Sequence, residues 1–131
     1  MSAVSRTRLD NGVVLIARPN RAARSVAIHL AFEAGAAFDP AEKEGTAALV
    51  AGLLDRGSGE VSAAEIAAYF DDLGIAYSAS AGRDSLEIRL RLLSEHLPGV
   101  HERMRLILAE PTFPEVEIGR EKGRTAPSLI T

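Results

Sequence analysis

Between Ser85 and Leu93 the chain alternates: Leu86, Ile88, Leu90 and Leu92 are apolar, and Glu87, Arg89 and Arg91 between them are charged. Successive side chains of a strand point to opposite faces. This period of two therefore predicts a strand with one face in a core and the other in water. Ser25 to Ala34 has the same period, with Val26, Ile28, Leu30 and Phe32 on one face and Ala27, His29 and Ala31 on the other. Strands of this kind need covering on one side only, a condition met by antiparallel sheets.

The rest of the chain supplies the cover. Thr46 to Arg56 reads as an Ala- and Leu-rich helix stopped by Gly57-Ser58-Gly59. Ser62-Ala63-Ala64-Glu65 is a capping box opening a helix that presents Ile66, Tyr69, Phe70 and Leu73 and stops at Gly74. Ile75 to Ala81 is a further strand, joined to the 85–93 strand by Gly82-Arg83-Asp84. Leu97-Pro98 starts a helix that presents Val100, Met104, Leu106, Ile107 and Leu108 and ends at Pro111. A short polar helix over Pro114 to Gly123, weakened by Gly119 and Gly123, completes the order. At the start, Asn11-Gly12 lies between Arg6–Leu9 and Val13–Ile16 and predicts a hairpin with a type I′ turn. The expected class is α+β, a mainly antiparallel sheet with helices packed on one face.

The 131 residues suit one domain, 47% hydrophobic and 25% charged. The net charge of −3 is made of scattered Lys and Arg, which gives no footprint for nucleic acid or anionic lipid. With no cysteine, disulfides, thiolate zinc sites and cysteine nucleophiles are excluded. Residues 1–8 have no apolar core of a signal peptide, and no stretch is apolar for long enough to span a bilayer. The expected location is cytoplasmic, or the mitochondrial matrix if a transit peptide has been removed.

Several motifs fall in a telling order: Leu9-Asp10-Asn11-Gly12, Ala34-Gly35-Ala36, Glu44-Gly45, the helix from Thr46, and the helix-Gly-strand run from Ala64 to Ser80. Phe113-Pro114-Glu115-Val116-Glu117 with Arg120-Glu121-Lys122 follows. Together they resemble the N-terminal module of the insulinase/pitrilysin family of zinc metallopeptidases, which includes the mitochondrial processing peptidases. The resemblance runs from Leu9 to about Arg124. It implies part of a LuxS/processing-peptidase-like repeat, here residues 1–126, with 127–131 as a tail or truncation end. It also implies an H-x-x-E-H motif on the helix after Gly45, where two His bind zinc and the Glu activates water. In this chain those positions are Ala48, Ala51 and Gly52. Neither a methyl group nor a hydrogen ligates a metal or accepts a proton. The family's third ligand, a Glu, would fall near Ser128, beside Pro127, which is expected to break a helix.

Other chemistry finds little support. His96 and His101 are five apart and diverge on a helix, and His29 is placed on the less buried face of its strand. Asp71-Asp72, Glu42/Glu44 and Glu115/Glu117 are neighbours that point apart, and the acidic residues at helix starts are explained by the helix dipole. No Ser has an evident His partner, and Gly57-Ser58-Gly59-Glu60 lacks the Lys of a phosphate loop and reads as a turn.

The resemblance therefore implies a degenerate, non-catalytic member with no cofactor of its own, any zinc being supplied by an active partner. Its expected partners are a catalytic family member, in a homo- or hetero-oligomer, and the peptide substrate of that complex. Nucleic acid and membrane insertion are not expected. Ala47, Ala48, Ala51 and Gly52 would form a wall of the substrate chamber, or serve close helix–sheet packing. The alternative function is a structural scaffold subunit with no link to proteolysis. Exposed apolar surface is expected at strand edges and around Leu49–Leu53.

Overall fold

The computed structural model describes the backbone of residues 3–130 and the side chains of residues 3–124. The element order is β1 (Ser5–Arg8), β2 (Val14–Ala17), β3 (Ser25–Phe32), α1 (Thr46–Leu53), β4 (Gly57–Ser58), β5 (Val61–Ser62), α2 (Ala63–Asp72), β6 (Ala76–Ala81), β7 (Leu86–Leu93), α3 (Leu97–Ala109) and α4 (Glu115–Ile130). Helices and antiparallel strands make it an α+β fold.

The alternating segment 85–93 supplies the central strand of the main sheet. β7 lies between β3 and β6 and is antiparallel to both. Leu86, Ile88, Leu90 and Leu92 all point into the core, at 6, 0, 4 and 3% exposure. Ile66 and Phe70 of α2, Val100, Met104 and Ile107 of α3 and Ala51 of α1 pack in the same cluster. On β3, Val26, Ile28 and Leu30 border this core, half-buried, while Phe32 stays 40% exposed. Alternation along an edge strand thus marks the right face but overstates how deeply it is covered.

α2 begins as the capping box suggests, with one change of partner. The Ser62 Oγ accepts from the Glu65 N–H at 3.2 Å, and the Glu65 carboxylate takes the Ser62 hydroxyl, also at 3.2 Å, instead of a backbone N–H. The helix closes with the paired bonds of a Schellman end, Ile75 N–H to Phe70 O at 2.8 Å and Gly74 N–H to Asp71 O at 3.2 Å.

Three expectations are corrected. The first hairpin has no type I′ turn. Gly12 N–H donates to Leu9 O at 2.9 Å, Leu9 N–H donates to Val13 O at 2.7 Å, and Gly12 alone takes a positive φ, 92°. That is the three-residue loop ending in a left-handed glycine, with the Asn11 side chain accepting from Val13 N–H at 3.1 Å. Second, Thr46 to Arg56 is shorter as a helix, ending at Leu53, and Gly57-Ser58 forms a small two-stranded ladder with Val61-Ser62 around the expected turn. Third, the last helix is longer than expected. It runs Glu115–Ile130, past Gly119, Gly123 and Pro127, so the boundary drawn at residue 126 falls inside it. Intrinsic propensity favours a shorter helix, but docking on α1 outweighs it.

Of the two places expected to expose apolar surface, the strands do so and the end of α1 does not. Leu53 is 2% exposed and belongs to the interior. The β1–β2 hairpin carries the open surface instead, with Val13, Leu15 and Ile16 at 52, 52 and 65%.

Candidate functional site

α1 is built around a chain of close fits. β3 ends at Phe32, and Gly35 brings the following backbone against the β6–β7 turn, where an added Cβ would collide with the Arg83 carbonyl and the Ser85 amide. Ala36 and Ala37 donate their N–H groups to Gly82 O and Arg83 O, each at 2.8 Å. This holds the short turn of Ala36–Phe38 in place and sets Asp39 under the start of α1. The Asp39 carboxylate accepts from Gly45 N–H through Oδ2 and from Ala47 N–H through Oδ1, both at 2.9 Å. Two of the orphan donors at the helix start are thereby satisfied from a loop, and the anion faces the positive end of the dipole. Gly45 itself has φ 94°, a conformation open to glycine and strained for other residues. The Ala-Gly and Glu-Gly motifs thus position the helix on which the family's metal motif would lie.

The four small residues of that helix divide into two pairs. Ala47 and Ala51 are buried, at 6 and 3%, and serve packing. Ala48 and Gly52 are half-exposed, one turn apart. None of Ala48, Ala51 and Gly52 offers a donor atom, so the residues present do not fit a zinc ion. Among the described residues no group of three or more His, Asp or Glu side chains is placed to hold a metal. The position near Ser128 lies outside the described side chains.

The histidines are far from this helix in role. His29 lies on the outer face of β3 and shares its Nε2 with Glu87 Oε1 at 2.6 Å, and Arg89 reaches the same carboxylate at 3.3 Å. His96 ends the turn before α3, and His101 is exposed on α3. Among the candidate carboxylates, Asp71 and Asp72 end α2, and Glu42 and Glu44 are exposed in a loop.

Glu117 is the exception, together with Glu121. Both are buried, at 9 and 6%, on the face of α4 that meets α1. Arg56 Nη1 donates to Glu117 Oε2 at 3.2 Å, and Arg120 Nη1 to Glu117 Oε1 at 3.1 Å. Arg124 Nη1 lies 3.4 Å from Glu121 Oε2. Asp55 joins this network from α1's end, 3.7 Å from Arg56. Burial raises the Asp55 carboxyl above its ordinary range and the Glu121 charge adds to the rise, against the lowering effect of Arg56. The helix dipole therefore accounts for only part of the setting of Glu117, which also pairs with Arg56 and Arg120. The available signal is the spacing of four between Glu117 and Glu121, which puts two acids on one helix face.

The sequence profile of the insulinase family, peptidase family M16, matches residues 13–128. The chain belongs to that family. Among its curated M16 relatives, an uncharacterized zinc protease of Rickettsia felis is 27% identical over 115 residues, covering 88% of this chain and 28% of the relative. The non-peptidase homolog YmxG of Helicobacter pylori is 26% identical over 103 residues, covering 79% of this chain and 24% of that one. Among solved structures, the M16 inactive domain from Pseudomonas fluorescens superposes with a TM-score of 0.86 at 24% identity, over 93% of this chain and 30% of that one. Pitrilysin superposes with a TM-score of 0.81 at 25% identity, over 98% and 14% respectively. The chain therefore spans under a third of the length of these insulinase-family proteins. No helix among the described residues is long and apolar enough to cross a membrane.

Proposed function

We propose that this insulinase-family chain is a non-catalytic module that pairs with an active member and helps to enclose that member's peptide substrate. One observation carries the reading. The helix that presents the metal motif in active members is intact, capped and docked, yet all three motif positions hold residues without a donor atom. A helix retained after its chemistry is lost is explained by architecture. The half-exposed Ala48 is the part of the small-residue surface available to a substrate, while Ala47 and Ala51 shape the packing beneath it and Gly52 faces Glu121 of α4. Relatives described as a non-peptidase homolog and as an inactive domain support the same reading.

The test is reconstitution. The chain is mixed with an insulinase-type protein that carries an intact H-x-x-E-H motif, encoded beside it in the same genome. Complex formation is followed by size-exclusion chromatography and peptide cleavage by fluorescence. A stable complex that cleaves peptides faster than the active protein alone supports the proposal. Failure to associate, or association with no effect on cleavage, refutes it and favours a scaffold role apart from proteolysis.

A further inference from the structure

We propose that the space vacated beside position 52 is filled by the chain's own Glu121, and that this contact locks α4 onto α1. A Cβ added at Gly52 would collide with the Glu121 Oε1 and would stand 2.9 Å from its Cγ. The carboxylate therefore rests directly on the bare backbone of α1, in the place where any side chain at position 52 would begin. Displacing only the tip of Glu121 does not relieve the collision, because the Cγ is too close as well. The stem must turn, and the residue is buried, with its Oε2 near Arg124. Nor is α4 free to roll aside. One turn earlier on the same face, Glu117 is held by Arg56, three residues past the end of α1, and by Arg120 from its own helix.

Gly52 thus has a use that the loss of the metal motif does not by itself explain. It is the notch into which α4 seats, and it marks this helix pair as closed. The groups facing Glu121 are Gly52 from α1, Asp55 just beyond its end, and Arg124 from α4. None is a metal ligand in this chain, and the contact stands independently of any catalytic partner.

Glycine and alanine give this contact a decisive signature. Inside a helix, Gly→Ala normally stabilises, by about a factor of five in a folding equilibrium. The notch reverses that sign here. Amide hydrogen exchange over residues 115–124 of the full chain is the readout, with Gly52→Ala introduced into three backgrounds. With Glu121 present, Gly52→Ala should speed exchange across α4 by tenfold or more. With Glu121→Gln, which keeps the size and removes the charge, it should do the same. With Glu121→Ala, which empties the notch, it should slow exchange or leave it unchanged. Should Glu121→Ala fail to fold, Glu121→Asp shortens the side chain by one methylene and should shrink the Gly52→Ala effect severalfold. Gly52→Ala that slows exchange with Glu121 in place, or acts equally in every background, overturns the proposal.

Discussion

Replacing Arg56 with Ala tests how firmly α4 is held. The guanidinium lies 3.2 Å from a Glu117 carboxylate that is 9% exposed as a residue. At that distance the gross attraction is roughly 5 kcal/mol for an effective dielectric of about 20, before desolvation is subtracted. Truncating one partner of a fully buried pair costs about 3–5 kcal/mol, whereas an exposed pair contributes about 0–1. This pair lies between those limits, because Arg56 is 26% exposed and the other Glu117 oxygen keeps Arg120. A net loss of about 2 kcal/mol follows, in line with hydrogen bonds to charged groups. Urea unfolding of wild type, Arg56→Ala, Glu117→Gln and the double variant gives a coupling energy free of separate packing effects. About 1–2 kcal/mol is expected, and most of it should persist in about 0.5 M salt because the pair is shielded from the ions. A coupling below about 0.3 kcal/mol would show that the pair behaves as a surface contact, and the account of how α4 docks would be wrong.

Three further outcomes follow from the same geometry. Because burial raises the Asp55 carboxyl, the folded state binds its proton more tightly than the unfolded state does. Stability from this group is thus present below its unfolded value and is lost as pH rises through the raised one. Asp55→Asn should be neutral or stabilising at pH 7 and should remove the loss of stability that this carboxyl contributes as pH rises, so that the variant's melting temperature gains on wild type from acid to neutral pH; clear destabilisation at neutral pH would contradict the burial argument. The triple variant Ala48→His, Ala51→Glu and Gly52→His should bind zinc weakly and turn over poorly, since the position-52 imidazole must displace Glu121 and the position near Ser128 supplies no carboxylate; efficient peptide cleavage would show that nothing beyond those three residues was lost. The open apolar surface of the β1–β2 hairpin should drive concentration-dependent association, seen by light scattering and reduced by Leu15→Lys and Ile16→Lys; a chain that stays monodisperse at high concentration would rule that out.

What could be read from the sequence follows the strength of local signals. The β7 alternation fixed the central strand and its buried face residue by residue, because period and burial are the same fact in a half-buried strand. The α2 cap and the stop at Gly74 were legible for a similar reason, since the bonds are made within a few residues. The hairpin was found but its turn type was missed. Asn-Gly suits both a two-residue loop and the end of a three-residue loop, and only the Leu9–Val13 pairing separates them. Long-range polar contacts were hidden. Asp39 capping α1 and Arg56 reaching Glu117 join residues 8 and 61 apart, and no local pattern announces them. The same holds for Gly52. As a letter it reads as a lost ligand, and only the position of Glu121 gives it a role. The length of α4 was underestimated because glycine weakens an isolated helix, while the stripe that holds this one is made of glutamates.

The positions of the metal motif hold no donor atom, and among the described residues no other group of side chains is placed to hold a metal. Zinc stoichiometry tests this most directly. The purified chain is incubated with excess zinc, dialysed, and analysed for metal content, with peptide hydrolysis measured in parallel with and without chelator. Far less than one zinc per chain and no chelator-sensitive cleavage are expected, since a catalytic zinc needs three protein ligands and the motif positions supply none. One tightly held zinc per chain with chelator-sensitive cleavage would contradict the account.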